Sequence, residues 1–194
     1  MGTQGDRDQA AEVRVTGART HIDLTIALPQ SRVWDLIADV TRIGEWSPEC
    51  VHGAWLDDGA GQAHAQVQAQ VPAPAQAYAR VGARFAGDNR FANGNVSTVT
   101  CVVTQAERPH RFAWVVLDGA EDPDRPGSIW SYELTPGGSA DETRVRHTFV
   151  HGPGDTGVRA AVRQHPEQAA EIVDGRLAQL RRHMIETLRG MERA

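Results

Sequence analysis

The apolar residues of this chain change their spacing once, and that change limits the folds open to it. Through most of the middle they recur at about every second position, the period of a half-buried strand. Phe112, Trp114 and Val116 alternate in one segment, Trp130, Tyr132 and Leu134 in the next, and Val145, His147 and Phe149 in a third. From Glu167 the interval lengthens, and Val173, Leu177, Leu180, Met184, Leu188 and Met191 follow one another at steps of four and three. That spacing draws one stripe along a helix of roughly six or seven turns. Consecutive strands have one apolar face to bury and so does the helix, so the two must cover each other.

The remaining elements fit the same plan. His21 to Leu28 alternates as a strand, and Pro29 leads into a short helix, Ser31–Ala38, with Val33, Trp34, Ile37 and Ala38 on one face. Asp39 or Thr41 can cap a second short turn that ends at Trp46-Ser47-Pro48, and a strand with Val51 and Trp55 follows. Val81–Phe91 and Asn95–Ala106 flank Asn93-Gly94, a strong hairpin signal. Arg111–Leu117, Ile129–Thr135 and Thr143–Val150 complete the strands, separated by the acidic loop 118–127 and by Gly137-Gly138. The expected architecture is α+β: an antiparallel sheet of about seven strands wrapped around a 167–192 helix, with two short helices after strand 1. Such a sheet does not close on itself and leaves room for a cavity. Residues 1–17 read as a disordered lead-in, 18–194 as one domain, and the Ala/Gln/Pro-rich stretch 58–79 as a mobile insertion within it.

Several chemistries are excluded by composition. Lysine is absent, which removes a Schiff-base lysine and a Walker A phosphate loop together. A net charge of −5 argues against nucleic acid and against an anionic membrane surface. Cys50 and Cys101 are the only cysteines and lack zinc or disulfide spacing. The amino terminus has no apolar run, so a cytoplasmic protein without a membrane anchor is expected. No cofactor or metal is expected.

Particular strings carry a family resemblance: Ser31-Arg32-Val33-Trp34-Asp35-Leu36-Ile37-Ala38-Asp39, then Thr41 to Glu49, and Trp55-Leu56. Further along come Gly82-Ala83-Arg84-Phe85 with Asn89-Arg90, Cys101 to Pro109, and Trp130-Ser131-Tyr132-Glu133-Leu134. Together they resemble the START/SRPBCC (helix-grip) superfamily, most closely its polyketide cyclase/dehydrase-like branch, from about His21 to Leu188. The resemblance implies a helix-grip fold. It leaves function open, because such folds serve lipid carriers, ligand sensors and aromatase/cyclases alike.

Strand alternation then names a lining. Trp55, Phe85, Asn89 and Cys101 point inward, as do Phe112, Trp114, Trp130 and Phe149, with Leu180 and Met184 facing them from the helix. The polar members are few: Asn89, the Tyr132 hydroxyl and His147. Tyr132 and His147 are the candidate catalytic pair, since an imidazole can act as acid or base near neutrality. The competing reading makes His147 a core histidine bonded to Tyr132 or to a carbonyl. His147 and His151 sit four apart, about 13 Å along a strand, too far to share a metal. Gly152-Pro153-Gly154-Asp155-Thr156-Gly157 matches GxGxxG but has no parallel strand after it, so a plain loop is expected. The arginines of the last helix, Arg176 among them, are assigned to its solvated flanks. Three functions stay open: a carrier or sensor of a hydrophobic small molecule (lipid, polyketide-like or isoprenoid), a cyclase-like enzyme, and an interaction module using loop 118–127 or the 58–79 insertion.

Overall fold

The computed structural model describes residues 15–56, 79–91 and 94–194. The elements are β1 (Arg19–Ile26), α1 (Gln30–Ala38), a 3-10 turn (Val40–Glu45), β2 (Cys50–Trp55), β3 (Arg84–Arg90), β4 (Val96–Glu107), β5 (Arg111–Val116), β6 (Ser128–Pro136), β7 (Thr143–His151), α2 (Gly157–Gln164) and α3 (Ala169–Met191), with a further 3-10 turn at Pro166–Gln168. The strands form one seven-stranded sheet in the order β1-β7-β6-β5-β4-β3-β2, antiparallel at every pairing. The expected helix-grip architecture is present. Register shifts occur between β2 and β3 and between β4 and β5, and such bulges bend a strand and sharpen its twist.

One face of this sheet is buried beneath the helices. Along β7, Thr143, Val145, His147, Phe149 and His151 are all buried while the residues between them are more open. The stripe on α3 meets that face through Leu180, Met184, Leu188 and Met191, each at most 2 % exposed. α1 closes another side. Its Trp34 donates from Nε1 to the Arg111 carbonyl at 3.1 Å, and the Gln30 amide donates to the Leu134 carbonyl at 2.9 Å. Near its carboxyl end α3 runs so close to Trp46 that a Cβ at Gly190 would lie 2.4 Å from the Trp46 Cβ. Only glycine lets the two backbones approach like this.

Two expectations need correction. Residues 15–17 are not part of a disordered lead-in: Val15 is fully buried beside Val162, Ala169 and Val173, and the Gly17 amide donates to the His151 carbonyl at 2.9 Å. The chain gains a backbone bond and an apolar contact there, which the polar residues upstream had masked. Residues 152–156 form a loop as expected, but the loop leads into a helix that was not, α2, which Thr156 caps by accepting from the Arg159 amide. Residues 1–14, Asn93 and all of the 58–79 segment except Ala79 lie outside the described residues.

Candidate functional site

Between the inner face of the sheet and α3 lies a cavity of about 550 Å³. Its walls come from α1 and the 3-10 turn after it, from β2 through β7, and from α2 and α3. Strand alternation placed most of the expected residues there. Phe85, Asn89, Cys101, Phe112, Trp114, Trp130, Tyr132, His147, Phe149, Leu180 and Met184 all line it. Trp55 does not. It stands at the sheet edge on β2 and packs against Phe85 with ring centroids 5.5 Å apart, so Phe85 stands between it and the cavity's aromatic wall.

The aromatic side chains touch in sequence across the strands. Phe85 meets Trp114 edge-on at 6.2 Å, and Trp114 and Trp130 lie parallel, 6.0 Å between centroids and 4° between planes. Phe149 then meets Trp130 at 4.7 Å. These residues are cross-strand neighbours: Trp114 pairs with Trp130, and Trp130 with Phe149. Aromatic pairs of this kind stiffen a sheet while leaving flat, apolar surface toward the interior.

His147 is stacked on Tyr132, with centroids 3.9 Å apart and ring planes at 17°. Neither of its ring nitrogens has a hydrogen-bond partner among the described residues, so it is not the bonded core histidine that alternation also allowed. Burial pulls its pKa down to about 3, leaving a neutral imidazole. The same burial pushes Tyr132 and Cys101 well above their ordinary values. His151 shares this face, and its ring nitrogens also have no hydrogen-bond partner among the described residues. Its pKa is lowered to about 4, by burial first and then by the charges of Arg159 and Arg176. His151 continues the parity of Val145, His147 and Phe149 one residue beyond the strand end expected at Val150, and it was not among the expected lining residues.

A charged cluster forms part of the wall that alternation did not reveal. Glu49 accepts from Arg176 at 2.5 and 2.9 Å and faces His183 Nδ1 at 3.0 Å. Arg176 also donates to Gln179 at 2.8 Å. Ser47 Oγ accepts from the Cys50 amide at 3.0 Å, holding the turn that presents Glu49. Burial alone would raise the Glu49 carboxyl, but the bonds and charge of Arg176, aided by His183, outweigh it and hold the group below its usual value. Arg176 is therefore not on a solvated flank: its side chain is 21 % exposed, and Glu49 beside it 14 %. Glu49 and Arg176 stand 127 positions apart, so no local pattern could link them.

Comparison with known proteins places this architecture. Among solved structures, the chain is similar to a Polyketide_cyc-like protein of Corynebacterium glutamicum, with 24 % identity, TM-score 0.57, and 92 % of this chain and 91 % of that one covered. It is also similar to the ZhuI aromatase/cyclase of Streptomyces sp. R1128, at 17 % identity and TM-score 0.58 with 90 % of each covered. A third is the di-domain ARO/CYC BexL of the BE-7585A biosynthetic pathway, at 16 % identity and TM-score 0.57, where 94 % of this chain spans 52 % of that one. At these identities the likeness is one of fold. No curated protein matches the chain. Residues 11–184 match the family described as polyketide cyclase/dehydrase and lipid transport, and the chain belongs to that family.

Proposed function

We propose that this protein binds a hydrophobic, largely flat small molecule in its internal cavity and acts as a carrier or sensor for it. The observation that carries this reading is the wall itself: about 550 Å³ faced by Phe85, Trp114, Trp130 and Phe149, with the imidazoles of His147 and His151, which have no hydrogen-bond partner among the described residues, beside them. An apolar pocket with a few placed polar groups is the general form of a small-molecule site. Buried polar groups are normally paired, so a ligand offering a hydroxyl or carbonyl to either imidazole would gain a bond that the protein leaves open. The test is titration with an apolar fluorescent probe while tryptophan emission is followed. Saturable quenching that weakens in Trp130→Ala is expected; no saturable change at any probe concentration would end the proposal.

A second reading, proton transfer by His147 and Tyr132 in a cyclase-like reaction, draws support from their 3.9 Å contact. It ranks lower because an imidazole with a pKa of about 3 is a poor base near neutrality. His147→Gln separates the two readings. Loss of affinity by about 1–3 kcal/mol marks a binding group, and loss of turnover at unchanged affinity marks a catalytic one.

A further inference from the structure

His151 is a buried group of the cavity wall whose surroundings carry a definite sign of charge. It is 4 % exposed, it lines the cavity, and neither ring nitrogen has a hydrogen-bond partner among the described residues. The two charges that act on it among those residues, from Arg159 and Arg176, are both positive. His147 stands on the same strand face, but burial alone perturbs it. The start of α2 reaches the same cavity, which Thr156, Gly157 and Val158 line as well. Arg159, in the first turn of that helix, donates to the Gly152 carbonyl at 2.6 Å and so fastens the helix start to the residue after His151. Thr156 accepts from the Arg159 amide through its hydroxyl and from the Ala160 amide through its carbonyl. The Gly157 and Val158 amides make no hydrogen bond among the described residues, as the first turn of a helix leaves them. A Cβ built on Gly157 would meet nothing within 4 Å, so the space beside it is open. Asp155 already brings a carboxylate to this helix start, and Arg163 holds it at 2.9 and 3.2 Å.

We propose that His151 and the start of α2 form an anion site for the polar head of the ligand, which makes the ligand a flat, apolar carboxylic acid bound as its carboxylate. The assignment rests on the cavity accepting apolar ligands. A carboxylate only accepts hydrogen bonds, at two oxygens. The amides of Gly157 and Val158 offer it donors at the positive end of the helix dipole, and the N–H of a neutral His151 ring offers a third. The apolar body then lies along Phe149, Trp130 and Trp114, whose rings continue from His151 across the sheet. An apolar pocket without such donors would select the opposite ligand, because stripping water from a charged head costs far more than stripping it from a hydroxyl.

The probes are 1-pyrenebutyric acid and 1-pyrenebutanol, which share one flat apolar body and differ in the head. Binding is followed through tryptophan emission at about pH 8, where the acid is ionised. The acid is expected to bind about tenfold or more tighter than the alcohol. In ¹⁵N-labelled protein it should also move the amide resonances of Gly157 and Val158, which the alcohol leaves in place. His151→Phe keeps a flat ring against Phe149 and should cut the preference for the acid about tenfold. Gly157→Asp sets a fixed carboxylate at the helix start, where helices favour one, and should cut the preference likewise. Alcohol bound as tightly as acid overturns the proposal and leaves the binding reading intact. A preference that survives in both variants overturns it as well, and so does one that is lost only in Arg176→Gln. Should His151→Phe not fold, the Gly157 and Val158 resonances decide, because bound acid that leaves them unmoved removes the site. Failure of both pyrenes to bind while another apolar dye binds overturns the ligand assignment, and failure of all three ends the binding reading and this proposal together.

Discussion

Acid should destabilise this fold through its buried histidines, and His147 supplies the case whose size can be worked out. In the folded state its pKa is lowered to about 3, with burial as the cause. In the unfolded chain it returns to its ordinary value near 6.5. Between those values the unfolded chain binds a proton that the folded one refuses, so stability is full above about pH 6.5 and falls as pH drops toward 3. Integrated from about pH 8 to about pH 5, that single site removes about 2 kcal/mol. His151, lowered to about 4, adds a loss in the same direction. His147→Phe keeps a flat ring against Tyr132 and eliminates one titration. Urea unfolding followed by circular dichroism at about pH 8 and about pH 5 measures the difference. The substituted protein should lose about 2 kcal/mol less than the parent over that interval. Parallel losses in the two proteins would show that His147 takes up its proton without unfolding, and the assigned burial would be wrong.

Two further substitutions test the packing. Leu180→Asp places a charge where the side chain is 2 % exposed against the sheet, so the thermal midpoint should drop by an amount equivalent to several kcal/mol; an unchanged midpoint would show the helix face misassigned. Gly190→Val drives a side chain into the Trp46 backbone, whose Cα is 3.0 Å from the glycine's virtual Cβ. A loss of about 1–3 kcal/mol in chemical denaturation is expected, and wild-type stability would mean that α3 does not approach Trp46 this closely.

The strands and their inward residues were legible because the evidence for them is local. A period of two assigns Phe112, Trp114, Trp130, Tyr132, His147 and Phe149 to one face without any knowledge of their neighbours, and the sheet places them so. α2 was legible in principle, since Val158, Ala161 and Val162 fall at helical spacing behind Thr156. The buried Arg159 interrupts that apolar pattern and hid it. The Glu49 cluster had no such signal. Arg176 stands one residue before Leu177, at the border of the apolar stripe, and its long side chain reaches inward only because Glu49 is waiting on a different element. A charge on a helix flank reads as solvated until its partner is located. Trp55 failed for a related reason: alternation says which face a residue is on, not whether another ring stands in front of it.

The pairing of β1 with β7 sets a timetable for the newborn chain. Arg19 pairs with Val150 and Ile26 with Thr143, so β1 has no partner until β7 has been made, more than a hundred residues later. At about 5–20 residues per second, the interval between making one edge and its mate is on the order of ten seconds. During that time the β3–β6 meander can pair with itself, but its tryptophan-bearing face lacks the cover of α3, which is synthesised after it. Loop closure over this separation also slows folding in the free chain. The aromatic surface that lines the mature cavity is thus the surface most exposed to unwanted association before the helix arrives.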